Sequence, residues 1–566
     1  MDLSKAIKLE NSEELIPIEQ HFKLYAGPGA GKTTFLTNHI KNVLRSSNKL
    51  KRTRRIACIT YTNAAVDNLK KRLNTSVESL EITTIHSFCY KHIVKPFMWL
   101  IDPCPLPLEK LDGHDEIKLR KGQIFSIKRE TQQDYLSDLG LMKSLNKLQW
   151  IYKSDGTFEL GHKRYVDRQV DGYTVKKSTY MKFKEAHWNE GRLSHDDVLY
   201  FAYNILSKEP KVREIIRGKF PYIFIDEFQD TSPLQVEILK IISEKETTIG
   251  VIGDICQSIY SFQGASVKDF EEFEVTGMNL YILKDNNRSS GEIVNILNHM
   301  RRNKDFKQDP RRNVNDSNPT ILVGDRFQSY EYLNNKSLPE LTILAYRNET
   351  LNEIQNPQSN RQEDINYITD DSNGDRSWRI YHVIRALEYA KNIRVKEALK
   401  AMKLAYRKEK LTDEDAFRNI KRLIKYQNEI EIKSLTQFYN DYIFGYYNVK
   451  AKITNGVPKD IYDNTLYSEA ANHINIVDEL DNFRSVHNAK GEEFENVLLI
   501  IPTVDNNELS FLLEPNMDEE SHRVYYVALS RAIKGLFISV PSLTTEHKTK
   551  LEELQFSIVK IDEAPS

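Results

Sequence analysis

Two acidic side chains in succession, Asp226 and Glu227, open the stretch D-E-F-Q-D-T-S-P-L-Q at residues 226–235. The apolar run before them reads as a buried parallel strand. Carboxylates at the carboxyl end of such a strand stand where open α/β sheets take their ligands. Asp226 is suited to hold a magnesium ion, and Glu227 to orient and deprotonate a water. Gln229, Asp230 and Gln235 add polar groups that a plain strand-to-helix turn does not need.

A second constellation lies upstream. Ala26-Gly27-Pro28-Gly29-Ala30-Gly31-Lys32-Thr33-Thr34 follows a short apolar strand at 22–25. Leu36, Ile40, Val43 and Leu44 then recur with the spacing of an amphipathic helix. Strand, glycine-rich turn and helix form the context of a phosphate-binding loop. Small residues let backbone N–H groups close around phosphates, and the helix N-terminus adds partial positive charge. Lys32 is expected to reach the β- and γ-phosphates and the Thr33 hydroxyl to bind magnesium. Such a loop alone does not separate kinase, GTPase, transporter and motor.

Further polar segments end apolar runs. Residues 251–265 read V-I-G-D-I-C-Q-S-I-Y-S-F-Q-G-A. There Gln257 can hydrogen-bond a γ-phosphate, and Tyr260 and Phe262 offer ring faces to bases. The strand expected at 56–60 runs into Tyr61-Thr62-Asn63, and residues 83–88 read T-T-I-H-S-F around His86. Hydroxyl- and amide-rich segments of this kind suit a sugar-phosphate backbone held by neutral hydrogen bonds.

Positioning these groups takes several elements. A chain of 566 residues is too long for one core and suggests three or four domains. With 40% hydrophobic and 28% charged residues, it reads as globular, neither disordered nor fibrous. The net charge of −1 gives no global positive field, so a nucleic-acid partner would meet local basic patches. Cys58, Cys89, Cys104 and Cys256 are scattered without a C-x-x-C pair, which suggests thiols in a reducing cytosol. The polar N-terminus is no signal peptide, and no apolar run reaches membrane-span length, so a cytoplasmic protein with no membrane partner is expected.

Taken in order, these motifs resemble those of superfamily 1A helicases of the UvrD/Rep/PcrA type. The match continues downstream with L-K-D-N-N-R-S-S at 283–290, L-T-I-L-A-Y-R-N at 341–348, S-V-H-N-A-K-G-E-E-F at 485–494 and E-S-H-R-V-Y-Y-V-A-L-S-R-A at 520–532. The resemblance implies an α/β fold: two RecA-like P-loop domains with parallel sheets, each carrying a mainly helical insertion. It implies Mg–ATP as cofactor and substrate, arginine fingers at Arg288 and Arg531, and a ribose contact from Glu493. Single-stranded DNA would pass Tyr61, Thr62, Asn63, His86, Tyr260, Phe262 and His487, with 3′→5′ polarity. The expected division is 1–92 and 196–279 for the first motor domain, with insertion 93–195. The second would comprise 280–350 and 481–566, with a reduced helical insertion at 351–480.

The chain departs from the pattern in places. The family's adenine-stacking tyrosine is replaced by Asn287, and the glutamine that reads the adenine edge maps to Gln20, unusually near the glycine loop. Relaxed base selectivity is therefore expected. In the first insertion, eight Lys/Arg and the rings of Trp150, Tyr152, Tyr165, Tyr173 and Tyr180 interleave, a pattern suited to single-strand binding, although a solvated face over an ordinary core is the plainer reading of any one residue. In the second, Ile380, Val383, Ile384 and Leu387 have helical spacing. Only thirty-five residues follow Arg531, so a fused nuclease is not expected there. The reading is an ATP-driven translocase on single-stranded or tailed duplex DNA. The rival is a DNA-responsive ATPase switch that regulates a separate nuclease subunit, as compact relatives do beside OLD-type nucleases in antiphage systems such as Gabija.

Overall fold

The computed structural model describes residues 2–561 except 74–77, 112, 115–120, 154, 163, 245, 262–263, 304, 313–317, 337, 356–373, 392–393, 448, 450, 456, 475–481 and 503–508. The chain divides into two compact units. One comprises 1–324, 334–341 and 489–566, and the other 325–333 and 342–488.

The first unit holds a seven-stranded sheet in which every neighbouring pair of strands is parallel. Its spatial order is Ile7–Lys8, Asn279–Leu283, Phe22–Ala26, Thr248–Gly253, Tyr222–Ile225, Ile56–Thr60 and Leu80–Thr84. The three strands at the centre, Phe22–Ala26, Thr248–Gly253 and Tyr222–Ile225, are buried at every residue. That is why Tyr222–Ile225 and most of Thr248–Gly253 read as apolar without alternation, whereas in Phe22–Ala26 the buried Lys23 breaks the run and donates to the Phe270 carbonyl at 2.9 Å. A second parallel array in the same unit pairs Phe494–Ile500 with Ala532–Val540, then Thr320–Val323, then Ser557–Lys560. The chain is thus α/β, with two large parallel sheets.

The first insertion is not helical throughout. Helices Lys121–Glu130, Asp138–Asn146 and Lys177–Trp188 are joined by two small antiparallel pairs, Gln149–Tyr152 with Phe158–Gly161 and Gln169–Val170 with Tyr173–Thr174. Its interleaved aromatics divide by role. Tyr180 is fully buried. Trp150 stacks on Tyr200 at 3.9 Å, and its indole N–H donates to Asp197 at 2.9 Å. Tyr165 and Tyr173 stay exposed. The Lys184 ammonium also points inward and pairs with buried Asp197 at 2.7 Å. Part of the basic-aromatic signal is therefore core, carried by Trp150, Tyr180 and Lys184.

In the second unit, helices Gly374–Lys391, Val395–Ala405 and Asp413–Ile424 form a helical core around Ile380, Val383, Ile384 and Leu387. Strands Leu341–Ala345 and Phe483–Ser485 pair in parallel beside it. Among the described residues, no helix is long and apolar enough to cross a membrane.

Candidate nucleotide and nucleic-acid site

Strand Phe22–Ala26 delivers the glycine loop at its carboxyl end, and helix Lys32–Ser46 leaves it. Gly31 caps that helix with φ 89°, a left-handed conformation that favours glycine. It carries no side-chain oxygen, so the first-turn N–H groups stay available to an anion. The Lys32 ammonium makes only a 3.5 Å approach to the Ala26 carbonyl. Open helix N–H groups, a barely engaged lysine and buried acids nearby fit a polyphosphate with its metal.

The acidic strand end lies next to this loop's sheet neighbour. The Asp226 N–H donates to the Ile59 carbonyl at 3.0 Å, and Asp226 Oδ1 accepts the Glu227 N–H. Glu227 turns the corner with φ 55°. Burial, then the neighbouring Glu227 charge, pushes the Asp226 carboxyl up. Burial would also raise Glu227, but Lys32, Lys490, the Gln229 amide and Arg531 outweigh it and hold that carboxyl down. One acid of the pair is thus kept ionised. Among the described residues no group of three or more His, Cys, Asp or Glu could hold a metal. A magnesium ion here would need Asp226, Thr33 and the phosphates together.

From Glu227 a chain of buried polar contacts runs across the unit. Gln229 Nε2 donates to Glu227 at 2.5 Å, while its Oε1 accepts the Asp254 N–H at 3.0 Å. Asp254 accepts Gln257 Nε2 at 2.7 Å and the Arg301 guanidinium. Gln257 Oε1 in turn accepts Arg531 Nη2 at 3.2 Å. Lys490 Nζ donates to Asp230 at 2.5 Å and to the Gln257 carbonyl at 2.6 Å. Arg301 is caged by the rings of Tyr25, Phe306 and Tyr526. The structure therefore brings Glu227, Gln257 and Arg531 into one network. Arg301 carried no sequence signal, because its partners lie far away along the chain.

Arg288 lies at the edge of this group. Its Nε donates to Glu493 at 2.7 Å and its Nη1 to the Ser530 carbonyl at 3.1 Å. The residue expected at the ribose and one expected at the γ-phosphate are thus each other's partner here, and a nucleotide would have to part them. Gln235, singled out for its polarity, completes a capping box with Ser232 on helix Pro233–Ser243.

Gln20, expected to read the adenine edge, lies before the strand that leads into the glycine loop. It stands at the amino end of strand Phe22–Ala26, where the His21 carbonyl accepts the Asn279 N–H and Glu19 binds Lys49 at 2.5 Å. The glycine loop leaves the other end of this five-residue strand, which spans on the order of 15 Å at ~3.3 Å per residue. Closeness along the sequence became distance across the sheet. The segment beside the loop is instead 9–14. A Cβ on Gly31 would meet the Ser12 side chain, and Asn11 and Glu14 close that segment through the N–H groups of Glu13 and Glu10.

On the nucleic-acid side, Tyr61 and Tyr260 stack on each other at 4.8 Å, with the Lys490 ammonium over the Tyr260 ring. A base entering between the rings would have to separate them. The Thr62 hydroxyl caps its helix by accepting the Ala65 N–H at 3.1 Å. Asn63 begins that helix. Phe262 lies outside the described residues. The His86 ring lies 5.1 Å from His195, and burial followed by its histidine neighbours lowers its pKa to about 3. His487 belongs to the second unit, where its ring meets Tyr346 at 6.0 Å.

Two family models match this chain: the UvrD/REP helicase N-terminal domain over residues 8–277 and the UvrD-like helicase C-terminal domain over 346–542. The chain belongs to the UvrD/Rep helicase family. It is 24% identical to the ATP-dependent DNA helicase PcrA of Staphylococcus epidermidis, covering 95% of this chain and 83% of that protein. It is 26% identical to the protein of the same name from Staphylococcus aureus over 59% of this chain, a stretch that spans 44% of that relative's length. The two matched segments carry the acid pair and the Arg531 end of the buried network, respectively.

Proposed function

We propose that this UvrD/Rep-family protein is an ATP-dependent DNA translocase or helicase acting on single-stranded or tailed duplex DNA in the cytoplasm. The observation that carries this is the continuous buried path from Glu227 through Gln229, Asp254 and Gln257 to Arg531. It joins the acid pair of one sheet to an arginine of the other, as a motor that couples hydrolysis to domain movement requires.

In this reading the loop at 26–34, Lys32 above all, binds the phosphates of ATP. Asp226 and Thr33 would hold magnesium, which supplies neutralising charge to those phosphates. Glu227 orients the attacking water and takes its proton. Gln257, Arg288 and Arg531 stabilise charge on the transferred group, so Arg288 must exchange Glu493 for the substrate. Glu493 released in this way would meet the ribose. Tyr61, Tyr260 and Phe262 offer stacking faces to DNA, and Thr62, Asn63, His86 and His487 offer polar contacts. The 3′→5′ direction and the division at 1–92, 93–195, 196–279, 280–350, 351–480 and 481–566 are parts of the same proposal.

A DNA-responsive switch for a separate nuclease is the second reading, favoured by the mainly helical core of the second unit. ATPase rates with and without single-stranded DNA, duplex DNA and RNA test the first reading, together with strand displacement on tailed duplexes. Stimulation by single strands with displacement supports a motor. Stimulation without displacement favours the switch, and no stimulation by any nucleic acid contradicts both.

A further inference from the structure

Gln308 has no place in the network above, yet its side chain lies against the glycine loop. It is 3% exposed. Its backbone is gripped by one residue of helix Gly291–Arg301: Asn298 Oδ1 accepts the Gln308 N–H at 2.8 Å, and Asn298 Nδ2 donates to the Gln308 carbonyl at 2.9 Å. So held, Gln308 Nε2 donates to the Pro28 carbonyl at 2.9 Å and to the Asp285 carbonyl at 3.2 Å. A Cβ on Gly27 would collide with this amide. Gly27 is therefore required by Gln308 as well as by any phosphate. Gln308 Oε1 is buried and has no partner among the described residues. Turning the amide over would set that oxygen against two carbonyls, so the chemistry fixes its orientation.

A planar trans peptide points C=O and the following N–H in opposite directions. Pinning the Pro28 carbonyl toward Gln308 turns the Gly29 N–H to the opposite side, where a phosphate cradle needs donors. The other end of the bridge, Asp285, begins the segment that carries Arg288. There Asn286 Oδ1 accepts the N–H groups of Arg288 and Ser289 at 3.0 Å each, and the Asn287 N–H donates to the Gly29 carbonyl at 2.9 Å.

We propose that Gln308 is a positioning residue of the nucleotide site, one that orients the glycine loop's peptide groups and ties that loop to the segment presenting Arg288. Gln308 can serve in this way only if the loop holds nucleotide phosphates, as proposed above.

Fluorescent mant-ADP binding and steady-state ATPase kinetics on the full chain provide the test. Gln308→Leu keeps the volume and leaves two buried carbonyls unpaired, so affinity should fall about tenfold and kcat at saturating ATP should fall as well. A melting temperature close to that of the unaltered protein would show that folding is not the cause. Gln308→Glu should bind as weakly at about pH 8 and regain affinity toward about pH 6, as its buried carboxyl takes up a proton and becomes a donor. Wild-type binding and turnover in Gln308→Leu would overturn the assignment, as would a Glu variant with no pH-dependent recovery. If the unaltered protein and Lys32→Ala both fail to bind mant-ADP, the phosphate-site reading fails first and takes Gln308 with it.

Discussion

The two ends of the glycine loop are built differently. At the phosphate end, Asp226, Gln229, Asp254, Gln257, Arg301 and Arg531 are buried, and the contacts of this network join positions as far apart in the chain as Gln257 and Arg531. At the other edge, Asn287 is exposed and Ser12 half-buried, on short connecting segments closed by local hydrogen bonds. Burial makes each polar group costly to leave unpaired and so rigidifies the phosphate end. An exposed edge carries no such demand and can change without disturbing the chemistry. The contrast suggests an engine that is strict about phosphates and tolerant of bases.

The largest expected effect falls on the buried end. Arg531→Met should lower ATP turnover on the order of a thousandfold, as loss of an arginine finger does, while leaving nucleotide affinity within a few-fold. Stopped or unaltered turnover, read with a phosphate-release assay, sharpens or breaks the contrast. Next, Arg301→Met strands the Asp254 charge in the interior and should cost about 3–5 kcal/mol of stability. Adding Asp254→Asn should restore most of it in denaturant melts. An unchanged midpoint in the single variant would show that the pair is not structural.

A smaller effect lies under the phosphate helix. His39 packs among Phe22, Phe35 and Phe224, neither ring nitrogen has a partner among the described residues, and burial lowers its pKa to about 4. The unfolded chain takes up this proton near pH 6.5, whereas the folded one resists until about 4. Stability from this group is therefore complete above about pH 6.5 and falls by up to about 1.4 kcal/mol per pH unit between those values. His39→Phe should flatten that part of the pH–stability curve. The smallest effect belongs to the exposed edge. The unaltered protein should hydrolyse ATP, GTP and CTP at similar rates, and Asn287→Tyr should favour ATP by about 0.5–1.5 kcal/mol through stacking. Strict ATP dependence in the unaltered protein would erase the contrast.

What could be read in the sequence follows the same division. Strand, glycine turn and helix are contiguous, so 22–46 was legible from local pattern, as was the buried face of Ile380, Val383, Ile384 and Leu387. The acids after Tyr222–Ile225 were legible because a buried strand has no other use for them. Arg301 and Gln308 were not legible, since each looks like a surface residue until the fold brings Asp254 or Pro28 to it. Gln20 rests on the family resemblance, and its place at the amino end of strand Phe22–Ala26 follows only from the fold. Trp150 and Tyr180 were ambiguous because an aromatic among lysines looks alike whether it packs inward or faces a base.

The central claim is that Glu227 is the base at the head of the buried network. Glu227→Gln, assayed for mant-ATP binding and for phosphate release in the presence of single-stranded DNA, tests it most directly. Binding should persist at close to the unaltered affinity while phosphate release disappears. Substantial residual hydrolysis by that variant would contradict the account.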